Sequence, residues 1–232
     1  MEYVSVADAA QSLGVSSRRV RQLVDEGNLG GQRIGGRWII DRNELDRRRQ
    51  SSPPSGRPLS SVSAWHVLAA LAEANDELEL LSPPLRSRAR SRAARLRRLP
   101  SDIAGRVWQS TLRRRASLHE FYAHPSVLNA LLSDPQIVRS GISAAHDHGA
   151  DLMVVGGAEG YVRARDVSTV VERYALNPAS RPDANVWLHT VDAGGDWLFG
   201  RRVAPTAVVA ADLLERDDAR DRWAGAKLAA SL

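Results

Sequence analysis

The spacing of apolar positions divides residues 1–50 into short elements. Val6, Ala9, Ala10 and Leu13 recur three and four apart, the period of a helix with one buried stripe, and Ser5 stands where an N-cap belongs. Gly14-Val15 makes a tight turn. Ser16 then caps a second helix whose stripe is Val20, Leu23 and Val24, and Gly27 supplies the left-handed stop on which helices often end. Gly31–Ile34 and Arg37–Ile40 read as short strands. Gly35-Gly36 between them suits a hairpin turn that needs positive φ at both central residues. Asp41 caps a third helix, from Arg42 to about Arg49, with Leu45 inward. Trp38, Val20 and Leu23 are expected to form the core of this segment.

The pattern then lapses. Gln50 to Pro58 is rich in serine and proline, buries nothing and reads as a linker, assigned to residues 51–59. From Ser63 the helical period returns through Trp65, Leu68, Ala69 and Ala72, with a stop near Asn75. After Ser82-Pro83-Pro84 one helix should run from Leu85 to Leu99, docking through Leu85, Ala89, Arg92, Leu96 and Leu99. Asp102 to Ala116 forms another, with Ile103, Val107, Trp108 and Leu112 inward. Arg113, Arg114 and Arg115 lie at its C-terminal end, where the helix dipole favours cations. Beyond residue 117 helix and strand alternate. Helices are expected at Pro125–Leu132, Ile142–His148, Val167–Tyr174, Pro205–Leu214 and Ala219–Leu228. Strands are expected at Ile137-Val138, Asp151–Val155, Tyr161-Val162 and Asn185–Val191. The fold class is therefore α+β: an N-terminal winged helix-turn-helix over residues 1–50, then a larger mixed α/β domain over 60–232.

Charge sharpens this division. The chain of 232 residues carries a net charge of +5. Residues 1–50 hold 9 basic and 7 acidic groups, residues 51–115 hold 12 and 5, and residues 116–232 hold 11 and 15. A basic front and an acidic back imply two tasks, the first involving a polyanion. Cysteine is absent, which removes disulfide and thiol chemistry and fits a reducing cytosol. No apolar run reaches the ~18–20 residues of a membrane span, and no basic-then-apolar leader opens the chain, so a cytoplasmic, nucleoid-associated protein with no membrane partner is expected.

The front segment resembles the excisionase and MerR-like DNA-binding domains. The likeness rests on Val15-Ser16-Ser17-Arg18-Arg19-Val20, Glu26-Gly27-Asn28-Leu29, Arg33-Ile34-Gly35-Gly36-Arg37-Trp38-Ile39-Ile40 and Glu44-Leu45. It implies that the second helix enters the major groove of double-stranded operator DNA. Ser16, Ser17, Arg18, Arg19, Arg21 and Gln22 would then line the groove-facing side, while Arg33 and Arg37 on the wing meet the flanking backbone. Seven arginines lie from Arg86 to Arg98. Arg88 and Arg90 among them are candidates for a supplementary phosphate clamp, against the alternative of a solvated charged face.

Two enzymatic readings fail on residue identity and a third on geometry. Gly141-Ile142-Ser143 followed by Asp151-Leu152-Met153 lacks the second carboxylate of a nucleotidyl-transfer metal pair. Asp151 and Glu159 lack the lysine of an Asp…Glu-x-Lys nuclease, because Tyr161 stands there. His146-Asp147-His148 puts its side chains on divergent sides of a helix end. No catalytic residue, metal site or cofactor is therefore expected. The back half is instead similar to the AbiEi-like antitoxins of type IV toxin–antitoxin systems. The motifs are His124-Pro125-x-x-Leu128, Asp134-Pro135-x-Ile137-Val138-x-Ser140-Gly141-x-Ser143-Ala144-Ala145 and Ala204-Pro205-x-x-Val208-Val209-x-x-Asp212-Leu213-Leu214-Glu215, with Arg220 and Ala224-Gly225. That resemblance implies an autoregulating repressor that counteracts a nucleotidyltransferase-type toxin. The expected partners are operator DNA, the cognate toxin and, as a homodimer, a second copy of the chain. The alternatives are a plain transcription regulator or excisionase-like recombination factor, with a ligand-sensing or oligomerising back domain, and a DNA-processing enzyme with degenerate motifs.

Overall fold

The computed structural model describes residues 3–13, 15–27, 29–45, 57–152, 156–180 and 183–232. The chain divides into two compact units, Met1–Arg57 and Pro58–Leu232. It mixes helix and sheet throughout, the α+β class.

In the small unit, strand β1 (Tyr3–Ser5) leads into α1 (Val6–Leu13), α2 (Ser17–Asp25) and the hairpin β2 (Gly31–Ile34) and β3 (Arg37–Asp41), followed by a helical turn at 42–45. Local chemistry sets each boundary. The Ser5 hydroxyl accepts from the Asp8 amide at 3.1 Å. Ser16 caps α2 by accepting from the Arg19 amide at 3.2 Å. Asp41 accepts from the Asn43 and Glu44 amides at 2.8 and 3.2 Å. Gly35 and Gly36 turn the hairpin at φ +56 and +80, and Gly27 ends α2 at φ +71, conformations that a Cβ disfavours. The expected third helix beyond residue 45, and residues 51–56 of the linker, lie outside the described residues.

Two expectations for this unit are corrected. The wing is a three-stranded antiparallel sheet, order β1-β3-β2, because Tyr3–Ser5 pairs with Ile39–Asp41. Three residues are too few to show a two-residue period. Trp38 is only half-buried. The core consists of Ala9, Ala10, Val20, Leu23, Leu29, Ile40 and Leu45. Trp38 sits opposite Arg33, next to the hairpin tip, while Ile40 lies two residues further from it, between β1 and β2.

The large unit joins a helical layer to a five-stranded sheet. Its helices are α3 (Ser61–Leu71), α4 (Asn75–Glu79), α5 (Pro83–Arg97), α6 (Ser101–Leu112), α7 (Leu128–Ser133), α8 (Val167–Arg173), α9 (Thr206–Glu215) and α10 (Ala219–Ala230). Its strands are β4 (Ser117–Tyr122), β5 (Val138–Arg139), β6 (Ala158–Arg163), β7 (Asn177–Pro178) and β8 (Val186–Val191), in the order β5-β6-β8-β4-β7. Among the described strands β6 and β8 run parallel, and the other strand pairings are antiparallel. Strand alternation divides the interior. Ala158 and Val162 of β6, with Val186 and Leu188 of β8, join Phe121, Leu128, Leu131 and Val170 in one core. Tyr161 and Val191 face the other way, into the core built by α3, α9 and α10. Glu159 and His189 share that second face by the same two-residue register.

Several helical expectations change here. α3 and α9 are buried nearly all round, so a single stripe does not describe them: Ala64, Trp65 and Val67 to Leu71 are all buried, as are Ala207 to Leu214. The α5 stripe is Ala89, Ala93 and Leu96, whereas Leu85 and Arg92 face solvent. Residues 141–148 form two short 3-10 turns instead of one helix. β4 and the two-residue β7 are additions to the expected strands. Of the strand expected at Asp151–Val155, residues 153–155 lie outside the described residues, while Asp151 and Leu152 are not in a strand.

Candidate nucleic-acid interface and a buried ion network

α2 presents two unlike sides. Val20 and Leu23 are buried against α1 and the sheet, with Val24 half-buried. Helical geometry places Arg18, Arg21 and Gln22 away from that stripe, and all three are exposed. Their freedom differs. Gln22 donates to Glu26 at 2.6 Å, and the Arg19 guanidinium approaches the same carboxylate at 3.8 Å. Arg18 and Arg21 make no ion pair among the described residues. Ser17 is half-buried at the first helical position, and the Ser16 hydroxyl is committed to capping. On the wing, Arg33 is exposed and its Nε donates to the Gly36 carbonyl at 3.2 Å, which holds the guanidinium along the hairpin tip. Arg37 opens β3. Of the expected set, then, Ser16 builds the helix, Arg19 and Gln22 are drawn toward Glu26, and Arg18 and Arg21 remain as donors on a capped helix without an ion pair among the described residues. That is the donor chemistry that base edges and phosphates require.

Arg88 and Arg90 lie on α5 and are both exposed, but on different sides of its buried stripe. Arg90 lines a groove with Glu73, Leu78 and Arg97. Arg88 stands one and two turns from Arg92 and Arg95.

The large unit also contains a polar cluster that sequence reasoning misses. Asp212 is the single charged residue within the buried stretch of α9, and its carboxylate is fully enclosed. One oxygen accepts from the Arg115 guanidinium at 2.5 Å and from the Tyr161 hydroxyl at 2.7 Å. The other accepts from the Ser140 hydroxyl. Arg115, 1% exposed, also reaches Glu215 at 2.5 Å, and its carbonyl accepts from the Trp65 indole at 2.7 Å. Beside this, His189 Nε2 meets Glu159 at 2.9 Å, and Tyr161 stacks on the His189 ring. Glu159 further accepts from the Ile142 amide at 3.1 Å and from Arg216 at 3.2 Å. Gly141 has to be glycine: its φ is +48, and a Cβ there would come within 2.2 Å of the Glu159 carboxylate.

The network sets its own charge states. Burial pushes the Asp212 carboxyl up, but Arg115, His189 and the Ser140 hydroxyl outweigh it and hold the group below its ordinary value. Burial pulls the His189 imidazole down, yet Asp212 and Glu159 leave it raised, which favours an imidazolium opposite Glu159. Burial raises the Tyr161 phenol well above its usual range. Burial lowers Arg115, but Glu215, Tyr161 and Asp212 more than offset it, so the guanidinium stays charged.

Glu159, His189 and Asp212 each offer a ligand atom, all within 4.8 Å of one another. Their oxygens are already taken by two guanidiniums, two hydroxyls and an amide. A divalent ion would have to displace Arg115 and Arg216 and deprotonate a histidine whose pKa is raised. The arrangement therefore serves as a buried ion network that ties α6 and β4 to β6, β8 and α9. The other expected chemistry is dispersed. Asp151 is exposed, while Glu159 is enclosed. Asp147 pairs with Arg139 at 2.9 Å; His148 donates from Nε2 to the Ala204 carbonyl at 2.8 Å, and its Nδ1 lies 2.9 Å from the Thr206 hydroxyl.

The family model of the helix-turn-helix domain matches residues 3–52. No curated protein and no solved structure matches the chain. The small unit is accordingly a helix-turn-helix domain of the kind found in DNA-binding regulators and excisionase-like factors. No helix among the described residues is long and apolar enough to cross a membrane.

Proposed function

We propose that the protein is a sequence-specific DNA-binding transcriptional repressor that reads its operator through α2 and steadies it with the wing. The observation that carries this reading is the pair Arg18 and Arg21: exposed, without an ion pair among the described residues, and on the side of a capped helix away from Val20 and Leu23. Base edges in the major groove carry a distinct donor and acceptor pattern for every base pair, and arginine matches guanine bidentately. Selection of the full chain against random duplexes tests it. One enriched motif is expected, palindromic if the protein binds as a homodimer. A pool without enrichment would remove the reading.

The finer proposal concerns the large unit, which acts as a partner domain rather than a catalyst. Its support is twofold. The AbiEi-like motifs supply Ser140, Gly141, Ser143, Asp212 and Glu215, which meet in or beside the ion network, so the resemblance falls on the unit's structural centre. Residues 116–232, moreover, carry 15 acidic against 11 basic groups, a balance suited to a basic protein surface. On this proposal the protein is the antitoxin of a type IV-like pair and represses its own operon. Co-expression with the product of the neighbouring gene should restore host growth, and the two proteins should co-purify. Absence of both, with this protein folded, rejects the antitoxin role and leaves a plain regulator or recombination factor.

A further inference from the structure

We infer that Arg88, Arg92 and Arg95 on α5 form a second, sequence-independent contact surface for duplex DNA phosphates, located in the large unit itself. The inference deepens the DNA-binding reading of the small unit and rests on it. The three residues are spaced four and three apart, so they share one strip of the helix; all are exposed. The strip lies off the buried Ala89, Ala93 and Leu96, and on the other flank from Arg90 and Arg97.

The strip is uncompensated. α5 contains no aspartate or glutamate, and among the described residues Arg88, Arg92 and Arg95 make no ion pair. Elsewhere in the same unit arginines find carboxylates: Arg115 with Asp212, Arg139 with Asp147, Arg163 with Asp196, Arg173 with Asp134 and Arg216 with Glu159. Like charges one helical turn apart oppose the helix that carries them. A strip of this kind is relieved by an external polyanion. The surrounding residues indicate which polyanion. Ser87 and Ser91 are exposed beside the arginines, and the one exposed aliphatic side chain on this side, Leu85, lies at the N-terminal end of the strip, so the middle of the face offers guanidinium and hydroxyl donors. Phosphate oxygens accept from these donors, whereas a protein partner usually requires an apolar middle. Arg88 and Arg95 are about 10 Å apart along the axis at 1.5 Å per residue, a length that spans successive phosphates of one strand at roughly 3.4 Å of axial rise each.

The test uses the full chain carrying R88Q, R92Q and R95Q together, measured on the selected duplex and on an unrelated duplex over a range of salt. Each phosphate no longer neutralised should flatten the slope of log K against log salt by about 0.9 on B-DNA. The expected result is a slope reduced by two to three units, equal weakening on both duplexes and an unchanged preference between them. Tryptophan fluorescence shows whether the variant is folded, and R92Q alone should give about one third of the change. Slopes that match wild type on both duplexes overturn the inference, including the case in which the variant instead loses binding to an acidic protein. A flattened slope without any preference in the wild type upholds this surface and rejects the reading of α2. A clear preference with an unmoved slope does the reverse.

Discussion

Arg115→Met is expected to destabilise the large unit by about 3–5 kcal/mol, the effect of removing one partner from a buried charge pair. The substitution keeps most of the side-chain volume, so packing loss is small. What remains is Asp212, enclosed in α9 with the Tyr161 and Ser140 hydroxyls as hydrogen-bond donors and His189 nearby, and Glu215 without its Arg115 guanidinium. The Trp65 indole keeps its acceptor, because that is the residue's backbone carbonyl. Urea denaturation followed by tryptophan fluorescence measures the effect cleanly, since five of the six tryptophans belong to this unit. The neighbouring Arg113 and Arg114 are exposed, and changing either to alanine should alter stability by no more than about 0.5 kcal/mol. A wild-type midpoint for Arg115→Met would mean that the network contributes nothing to holding α6 and β4 against α9.

The second large effect belongs to the small unit. Leu23→Ala should cost about 2–5 kcal/mol, the range for truncating a buried leucine and leaving a cavity. Leu23 is 4% exposed in a core that comprises seven buried residues among those described, two of them alanine. A unit of this size has little stability to spare, so the loss should unfold it. The expected observations are rapid proteolysis within residues 1–57 and no operator binding, while the large unit keeps its tryptophan signal. Wild-type protease resistance would contradict the packing of α2.

The two units are legible in the sequence to different degrees. In the small unit each boundary depends on a neighbour a few residues away: Ser16 on Arg19, Asp41 on Asn43, Gly35-Gly36 on their own φ angles. Local signals of that kind can be read directly. Trp38 escapes such a reading because its neighbours across the sheet, not its own strand, decide how deep it lies. In the large unit the failures share a cause. α3 and α9 are enclosed on all sides, so their apolar residues carry no period. β4 has no strict alternation and becomes a strand by pairing with β8 and β7. Arg115 reads as part of a basic helix end because its partners, Tyr161, Asp212 and Glu215, are far away in the chain. One signal is available: Asp212 interrupts an apolar helix, and a charge buried there must be paired. The arginine run reads as charge alone; only the true stripe of α5 separates Arg88 from Arg90.

The proposed groove reading by α2 depends on Arg18 and Arg21. Its most direct test is the affinity of the full chain for its selected duplex at fixed salt, with Arg18→Ala and Arg21→Ala made singly. Removing a guanidinium that pairs bidentately with a base should weaken binding by about 1–3 kcal/mol and relax preference at one base position. Wild-type affinity and wild-type preference in both variants would contradict the placement of α2 in the groove.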